Sequence, residues 1–272
     1  RSSDLFTAIS AFCNAGFDLF GRFGAYSSLV PYVNNYYVQA VVMFMIMAGG
    51  LGFMVWVELA EYRKKRRLSL HAKVVLQFSV IFWVGGAVLL ALLEWSNPRT
   101  MGGLSVPGKI MAALFQSVST RTAGMNTIDL AACSPISKLL MSVLQFIGAA
   151  PGSTGGGVKV TTFAVLILTI RSVAQGRDDC VIGGHHIESK TVYRALTIIV
   201  IGAVAAFGSA VVVYYNTAET VSVIDCIFES CSAFGTVGLS VGVTGQLNTG
   251  AKLLYMACMF MGRVGPVSLA IS

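Results

Sequence analysis

The hydrophobic positions of the chain fall into long apolar runs separated by short polar segments. Residues 36–57, 74–95 and 195–215 are each apolar over about 20 residues, the length that an α-helix needs to cross a bilayer core. A fourth run, 136–173, is too long for one span and is interrupted in its middle by GAAPGSTGGG. A fifth, 252–272, is interrupted by GRVGP. The pattern predicts membrane-spanning helices, two of which are broken.

Shorter apolar stretches, at 5–12, 109–119 and 223–232, separate these runs. With its lead-in residues each stretch is roughly ten to thirteen residues long, and ten helical residues reach about 15 Å, half of a bilayer core. Irregular backbone at membrane depth is tolerated only where protein buries it or where it lines a watery cavity. We therefore predict re-entrant half-helices, each followed by a turn that lines a water-filled cavity or is buried by protein.

The half-helices are copies of one element. The first and last share the pattern FxxxSAFxxxG, and the middle copy fits after deletion of one position. The order half-helix, glycine turn, outer loop, full helix recurs in the same sense, so the chain is predicted to be built from repeated units. The matched positions are Phe6, Ser10, Ala11, Phe12 and Gly16; Phe115, Ser119 and Gly124; and Phe228, Ser232, Ala233, Phe234 and Gly238.

Composition supports a membrane protein and excludes a soluble enzyme or a disordered chain. Of 272 residues, 55% are hydrophobic and 11% charged, whereas soluble domains carry roughly 25% charge. The net charge of +7 does not indicate nucleic-acid binding, because basic residues cluster beside apolar runs. Six lie in loop 61–73 and four in loop 171–194, which places both loops in the cytoplasm by the positive-inside rule. The half-helices then enter from outside.

Glycine is enriched, with 29 residues or about 11% against an average of about 7%. A turn with a glycine at or next to its last position follows each half-helix; we call these the first turn (13–17), second turn (120–124) and third turn (235–238). Extended backbone with small side chains can present carbonyl oxygens that replace the hydration shell of a monovalent cation, and helix C-termini favour a cation there. The alternative, tight helix packing through small residues, is less favoured for three matching turns.

Five sequence motifs together resemble those of a known family. SAFCNAGF, FQSVSTRTAGMN, GAAPGSTGGGVKVTTF, FESCSAFGTVGLS and MGRVGP together resemble the membrane subunit of Trk/Ktr/HKT potassium transporters, most closely the Ktr type. The resemblance implies an all-α integral membrane fold, potassium-channel-like, with four units of outer helix, re-entrant pore loop and inner helix around a pseudo-fourfold pore. Three of the four units are expected here: unit two at 1–67, unit three at 68–177 and unit four at 178–272.

In this interpretation the chain is an N-terminally truncated fragment. Unit one and the outer helix of unit two would precede residue 1, and the resemblance leaves open whether the last inner helix is complete. The resemblance also places a selectivity filter in the three turns, with potassium bound there and no other metal. The implied ion-binding filter residues are Asn14, Ala15, Gly16, Thr122, Ala123, Gly124, Gly235, Thr236, Val237 and Gly238.

The interruption of the fourth apolar run is called the central loop (148–157). Pro151 removes a helix donor and the glycines do not commit the segment to helix. The resemblance implies a gate beneath the filter, whereas a simple kink is the alternative. The gate residues would be Gly148, Ala149, Ala150, Pro151, Gly152, Ser153, Thr154, Gly155, Gly156 and Gly157.

Basic residues within apolar segments are functional candidates, because charge is costly in a membrane. The resemblance places Arg263 below the filter as an electrostatic barrier, with a structural ion pair as the alternative. Lys159 either snorkels or bonds loop carbonyls. Arg121 lies inside the second turn, and we interpret its side chain as pointing behind the turn towards Glu229.

The implied function is potassium uptake across the cell membrane by a multi-pass, pore-forming subunit that is not an enzyme. No cofactor is expected in this chain, and a nucleotide is expected only on a regulatory partner. The implied partners are a second copy in a homodimer, a cytoplasmic ring of nucleotide-binding regulatory subunits and the lipid bilayer, but no nucleic acid.

Alternative functions remain open from the residues alone. One is a sodium-permeable member of the same superfamily. Another is a broken-helix secondary transporter, which would predict inverted repeats rather than repeats in one sense. A nonconducting subunit and an intramembrane hydrolase are weaker; the hydrolase needs a base at membrane depth, and His71, His185 and His186 all lie in predicted cytoplasmic regions.

Overall fold

A computed structural model of the chain describes residues 2–23, 27–176, 180–182, 185–217 and 220–265. Within these residues the regular secondary structure is almost entirely α-helical, with short 3-10 turns at Phe20–Phe23, Val30–Tyr32 and Thr244–Gln246. The helices are α1 Ser2–Phe12, α2 Tyr36–Gly50, α3 Phe53–Lys65, α4 Leu70–Glu94, α5 Val106–Ser119, α6 Pro135–Phe146, α7 Val160–Ala174, α8 Ser189–Asn216, α9 Val223–Phe234 and α10 Thr249–Val264.

Helix starts are set by polar caps in the sequence. Ser105, Ser134 and Ser222 precede α5, α6 and α9, and each side chain accepts a hydrogen bond from a backbone N–H of the first turn. Pro107 and Pro135 follow two of these caps, where a missing N–H costs nothing. The half-helices therefore begin where the sequence changes from polar to apolar.

In the part of the chain that the structure describes, two helices, α4 and α8, are each long and apolar enough to cross a membrane. Their inward faces carry small residues such as Ala72, Ser79 and Gly86 of α4, whereas Ile81 and Leu92 are exposed. The same distribution holds in α8, which buries Ala195, Gly202, Ala206 and Ser209. Large apolar side chains on the outside and small ones inside are what a lipid solvent permits, since close helix packing there depends on small residues.

The predicted span at 36–57 is wrong as a single helix. It consists of α2 and α3, which are bent by 98° at a short break. Gly52 has φ +84°, and a Cβ atom there would lie 2.5 Å from the carbonyl oxygen of Pro151. The N–H of Phe53 donates to the carbonyl of Gly152 at 3.2 Å. The bend exists because the central loop packs against the end of α2. The local sequence does not predict this contact between distant segments.

The predicted break in the fourth apolar run is confirmed. The run 136–173 forms α6 and α7, separated by the central loop. Helix α10 ends at Val264, before Gly265 with φ +95°, and the predicted continuation over 266–272 lies outside the described residues. A small antiparallel hairpin, β1 Cys180–Ile182 with β2 His185–Ile187, was not predicted.

Two of the half-helices, α5 and α9, lie at the centre of the packing, whereas α1 lies at its edge. Helix α5 packs against α2 and α4, α9 packs against α6, α8 and α10, and α1 packs against α2. The repeated phenylalanine is fully buried in two copies, as Phe115 and Phe228, whereas Phe6 of α1 is exposed. The turns that follow the half-helices are thereby brought together.

Candidate functional site

The three turns share one backbone conformation. Asn14, Thr122 and Thr236 have φ of 50°, 76° and 52°, and each is followed two positions later by a glycine that also has positive φ. Those glycines are Gly16, Gly124 and Gly238, with φ of 73°, 77° and 92°. A positive φ is uncommon in residues other than glycine. Its recurrence at equivalent positions confirms that the sequence repeat is also a structural repeat.

Serines of the half-helices hold the turns. The carbonyls of Ser10, Ser119 and Ser232 accept the N–H of Ala15, Ala123 and Val237 at 2.9, 3.0 and 2.8 Å. The hydroxyl of Ser232 also donates to the carbonyl of Leu239 at 2.7 Å, and that of Ser119 donates to the carbonyl of Met125. In the second and third turns the serine therefore fixes the backbone on both sides of the turn glycine, whereas in the first turn only the carbonyl of Ser10 forms such a bond.

The glycines of the three turns converge. A Cβ atom at Gly16 would lie 2.9 Å from the carbonyl oxygen of Ala123, and one at Gly124 would lie 2.2 Å from that of Val237. A Cβ at Gly238 would lie 3.8 Å from the Cα of Gly124. A backbone carbonyl of one turn thus lies against the glycine of the neighbouring turn, at a distance that leaves no room for a side chain.

Gly235, the first residue of the third turn, packs differently from the other predicted filter residues. It is the C-cap of α9, and a Cβ atom there would lie 2.3 Å from the carbonyl oxygen of Gln145 in α6. The N–H of Gly235 donates to the carbonyl of Cys231 at 2.8 Å. Gly235 therefore allows close packing of α9 on α6.

The central loop touches all three turns at equivalent positions. Asn14 Nδ2 donates to Thr154 Oγ1 at 2.8 Å. A Cβ atom at Gly155 would lie 2.3 Å from Thr122 Oγ1, and one at Gly156 would lie 2.2 Å from Thr236 Oγ1. Three consecutive loop residues thus face the positive-φ residue of the first, second and third turn.

Backbone hydrogen bonds fix the central loop to the surrounding helices. The N–H groups of Ala150 and Thr154 donate to the carbonyls of Gly50 and Gly49 at 3.1 and 3.3 Å. The N–H of Gly157 donates to the carbonyl of Gly262 in α10 at 3.0 Å. The loop is therefore an ordered partition between α2 and α10, directly against the turns.

Basic side chains bind the carbonyl oxygens of the central loop. Lys159 Nζ donates to Gly155 O at 2.6 Å, and Arg263 Nη1 donates to Thr154 O. The prediction that Lys159 bonds a loop carbonyl is confirmed. Together the two cations hold adjacent carbonyls of the segment that faces the turns.

The predicted pairing of Arg121 with Glu229 is wrong. Arg121 Nη2 donates to Gly148 O at 2.7 Å, and its guanidinium carbon lies 5.3 and 5.9 Å from the ring centres of Phe82 and Trp83. Among the described residues no carboxylate forms an ion pair with it. The π-faces and the carbonyl take the place of the expected acid.

Glu229 instead holds the segment that follows the third turn. Its carboxylate accepts the N–H groups of Val241 and Val243 at 3.0 and 3.1 Å and the hydroxyls of Ser240 and Thr244 at 2.5 and 2.6 Å. Both carboxylate oxygens accept hydrogen bonds, and the residue is only 4% exposed. The carboxylate is therefore satisfied by neighbouring groups and does not pair with Arg121.

Replacing Glu229 with glutamine should destabilise the protein by about 1–3 kcal/mol, because the amide nitrogen cannot accept the bonds that one carboxylate oxygen takes. A lower midpoint of thermal unfolding of the purified full-length protein would report this. Glu61→Gln is the matched control, since Glu61 pairs with Lys65 on an exposed helix surface, where ion pairs contribute little. Equal midpoints for the two variants would contradict the assigned role of Glu229.

Sequence reasoning also missed Glu94, which lies at the C-terminal end of α4. It is fully buried and accepts hydrogen bonds from Asn97, Thr100 and the N–H of Ser134, the cap of α6. A carboxylate at the N-terminus of a helix is stabilising. The sequence contains a pattern that could have indicated this role: an acidic residue at the end of an apolar run, followed by Asn97 and Thr100.

Comparisons with known proteins agree on one family. Residues 3–272 match the family model described as TrkH, cation transport protein. The chain is 34% identical to the Ktr system potassium uptake protein B of Bacillus subtilis and 38% identical to that of Vibrio alginolyticus, covering 99% and 98% of this chain and 59% and 57% of the relatives. It is 36% identical to the potassium/sodium uptake protein NtpJ of Enterococcus hirae, over 98% of this chain and 58% of that protein.

The fold also matches a solved structure. The crystal structure of the potassium transporter TrkH from Vibrio parahaemolyticus superimposes with a TM-score of 0.76 at 19% identity, over 96% of this chain and 56% of that one. This likeness confirms the predicted helical membrane fold. The chain spans less than two thirds of the length of these relatives.

Proposed function

The chain belongs to the TrkH family of cation transport proteins, and from this premise we propose that it forms part of the pore of a potassium uptake protein. The family is one of transporters, so the expectation that the chain is not an enzyme is confirmed. Similarity to proteins named for potassium uptake supports potassium as the ion. The convergence of the three turns carries the proposal within this chain.

The three turns would form three quarters of a selectivity filter. Each is held by a serine carbonyl, each has positive φ at equivalent positions, and the carbonyls of Ala123 and Val237 approach the neighbouring turn glycine. Rigid backbone carbonyls can replace the water around a dehydrated cation. The ion would bind to oxygens of residues 14–16, 122–124 and 236–238, and Gly235 would support them from behind.

The central loop would be the gate. It lies against the positive-φ residue of every turn, and its carbonyls at Thr154 and Gly155 bind Arg263 and Lys159. Loop residues in this position would block the exit from the filter towards the cytoplasm. Arg263 would add an electrostatic barrier, because a fixed positive charge beside the path repels a dehydrated cation.

The chain is a membrane protein, and we propose an orientation and partners for it. Loops 61–73 and 171–194 would face the cytoplasm, with the half-helices entering from outside, as the distribution of basic residues favours. The proposed units are 1–67, 68–177 and 178–272, arranged with pseudo-fourfold symmetry around the pore. Similarity to proteins named as parts of a Ktr system supports a subunit that works with other components. These would be a second copy and nucleotide-binding cytoplasmic regulators.

A second candidate is uptake of both potassium and sodium. It is favoured by the similarity to a protein named for potassium/sodium uptake. The turn glycines Gly16, Gly124 and Gly238 are compatible with either ion.

The proposal is tested by rubidium uptake into liposomes that contain the full-length protein. We expect uptake that potassium inhibits strongly and sodium inhibits weakly, with empty liposomes as the control. Equal inhibition by both ions would favour the second candidate. The absence of uptake by correctly folded protein would contradict both.

A further inference from the structure

Arg121 is a charged residue in the second turn that the proposed filter does not use. Its side chain is only 4% exposed, and burial of an unpaired charge is costly unless its surroundings compensate. Ala123 and Thr122, its neighbours in the turn, are fully buried as well. A position so costly for a cation requires a structural or functional reason.

The guanidinium joins three parts of the molecule. Its π-contacts are with Phe82 and Trp83 of α4, its backbone belongs to the second turn, and Nη2 donates to the carbonyl of Gly148 at 2.7 Å. It also lines a small cavity with Ser79 and Ala149. The side chain therefore spans from the turn to the first residue of the central loop.

Gly148 is the point where the two limbs of the central loop meet. Its N–H donates to the carbonyl of Val158 at 2.8 Å, and a Cβ atom there would lie 1.8 Å from the carbonyl oxygen of Gly156. Its own carbonyl is the atom that Arg121 holds. Arg121 thus fixes the neck of the loop, whereas Lys159 and Arg263 bind its tip.

We propose that Arg121 is a positioning residue that couples the second turn to the neck of the central loop and holds the loop against the turns. The inference rests on the proposed function of the loop as a gate. A planar guanidinium suits this role, because it can stack on aromatic rings and donate in its plane at the same time. Lysine cannot do both.

The turn itself does not depend on this contact. Ser119 holds it through the N–H of Ala123 at 3.0 Å and through the N–H of Met125, which donates to its hydroxyl at 3.0 Å. Loss of the guanidinium should therefore loosen the loop while the carbonyls of the turn keep their places. Loss of the guanidinium is therefore expected to change the uptake rate and to leave ion selectivity unchanged.

The test compares Arg121→Gln with the wild type in full-length protein reconstituted into liposomes. We expect rubidium uptake to rise roughly tenfold, the change in an open–closed equilibrium that loss of one charge-assisted hydrogen bond produces. Inhibition by sodium should stay as weak as in the wild type. Arg99→Gln, a matched loss of charge at an exposed position of the outer loop, should leave uptake unchanged.

A second background separates coupling from a general effect. If Arg121 acts through the loop, Arg121→Gln should add nothing in a protein that already lacks residues 153–156. Independent effects of the two changes would overturn the proposal, as would unchanged or reduced uptake, or a loss of selectivity. Wild-type protein that transports nothing would contradict the proposed function instead.

Arg121→Lys keeps the inference testable if the glutamine variant does not fold. Lysine retains the charge without the planar fork, so uptake should lie between wild type and glutamine levels. Phe82→Leu, which removes one of the stacked rings, should raise uptake in the same direction. Wild-type uptake in both variants would overturn the inference.

Discussion

Replacing Gly124 with serine is expected to remove most of the preference for potassium over sodium in the full-length protein. Gly124 has φ +77°, and a Cβ atom there would lie 2.2 Å from the carbonyl oxygen of Val237. The positive φ alone costs about 1–3 kcal/mol for a residue with a side chain. The clash must displace the carbonyl of Val237, one of the proposed ion ligands, so the spacing on which selection depends is lost.

Competition of sodium with rubidium uptake measures the change. The matched control is Gly103→Ser in the outer loop, where a Cβ atom meets nothing within 4 Å. Gly238→Ser should also weaken selectivity through its φ of +92°, but less than Gly124→Ser, because the nearest described atom is 3.8 Å away. If sodium inhibits rubidium uptake by the Gly124→Ser variant as weakly as it inhibits uptake by the wild type, the second turn does not belong to a filter.

The sequence was sufficient to predict the half-helices and their turns. They are local features: Ser105 and Ser222 cap helices whose apolar runs are visible, and the repeat aligns Ser10, Ser119 and Ser232. The break of the fourth apolar run was equally visible, because Pro151 and its glycines cannot continue a membrane helix. Local sequence features and the internal repeat were therefore sufficient to predict most of the helices and turns.

The contacts between segments that are distant in the chain could not be predicted. The bend at Gly52 follows from the approach of Pro151, about a hundred positions further along the chain, and the partner of Arg121 is a backbone carbonyl rather than an acid. Charge complementarity suggested Glu229 for Arg121, but Glu229 is satisfied by the loop that follows its own turn. Carbonyl partners leave no mark in a sequence, since every residue has one.

Deletion of residues 153–156 is expected to raise potassium flux through the full-length protein by roughly tenfold or more, as for a gate whose closed state is favoured. The deletion removes the carbonyls that bind Lys159 and Arg263 and the residues that face Thr122 and Thr236. The neck survives, because the Gly148 N–H to Val158 bond lies outside the deleted residues. The path below the turns should therefore open without collapse of the surrounding helices.

Initial rates of rubidium uptake at equal protein content measure this flux, and an unchanged thermal unfolding midpoint shows that the helices remain packed. Thr154→Val is the graded variant: it removes only the hydroxyl that accepts from Asn14 at 2.8 Å and donates to the carbonyl of Phe12 at 3.2 Å, so its flux should lie between wild type and deletion. Sodium competition should be unchanged in both, because the turn glycines are intact. Flux equal to or below the wild type in the folded deletion variant would mean that the loop supports the turns rather than closing the path beneath them.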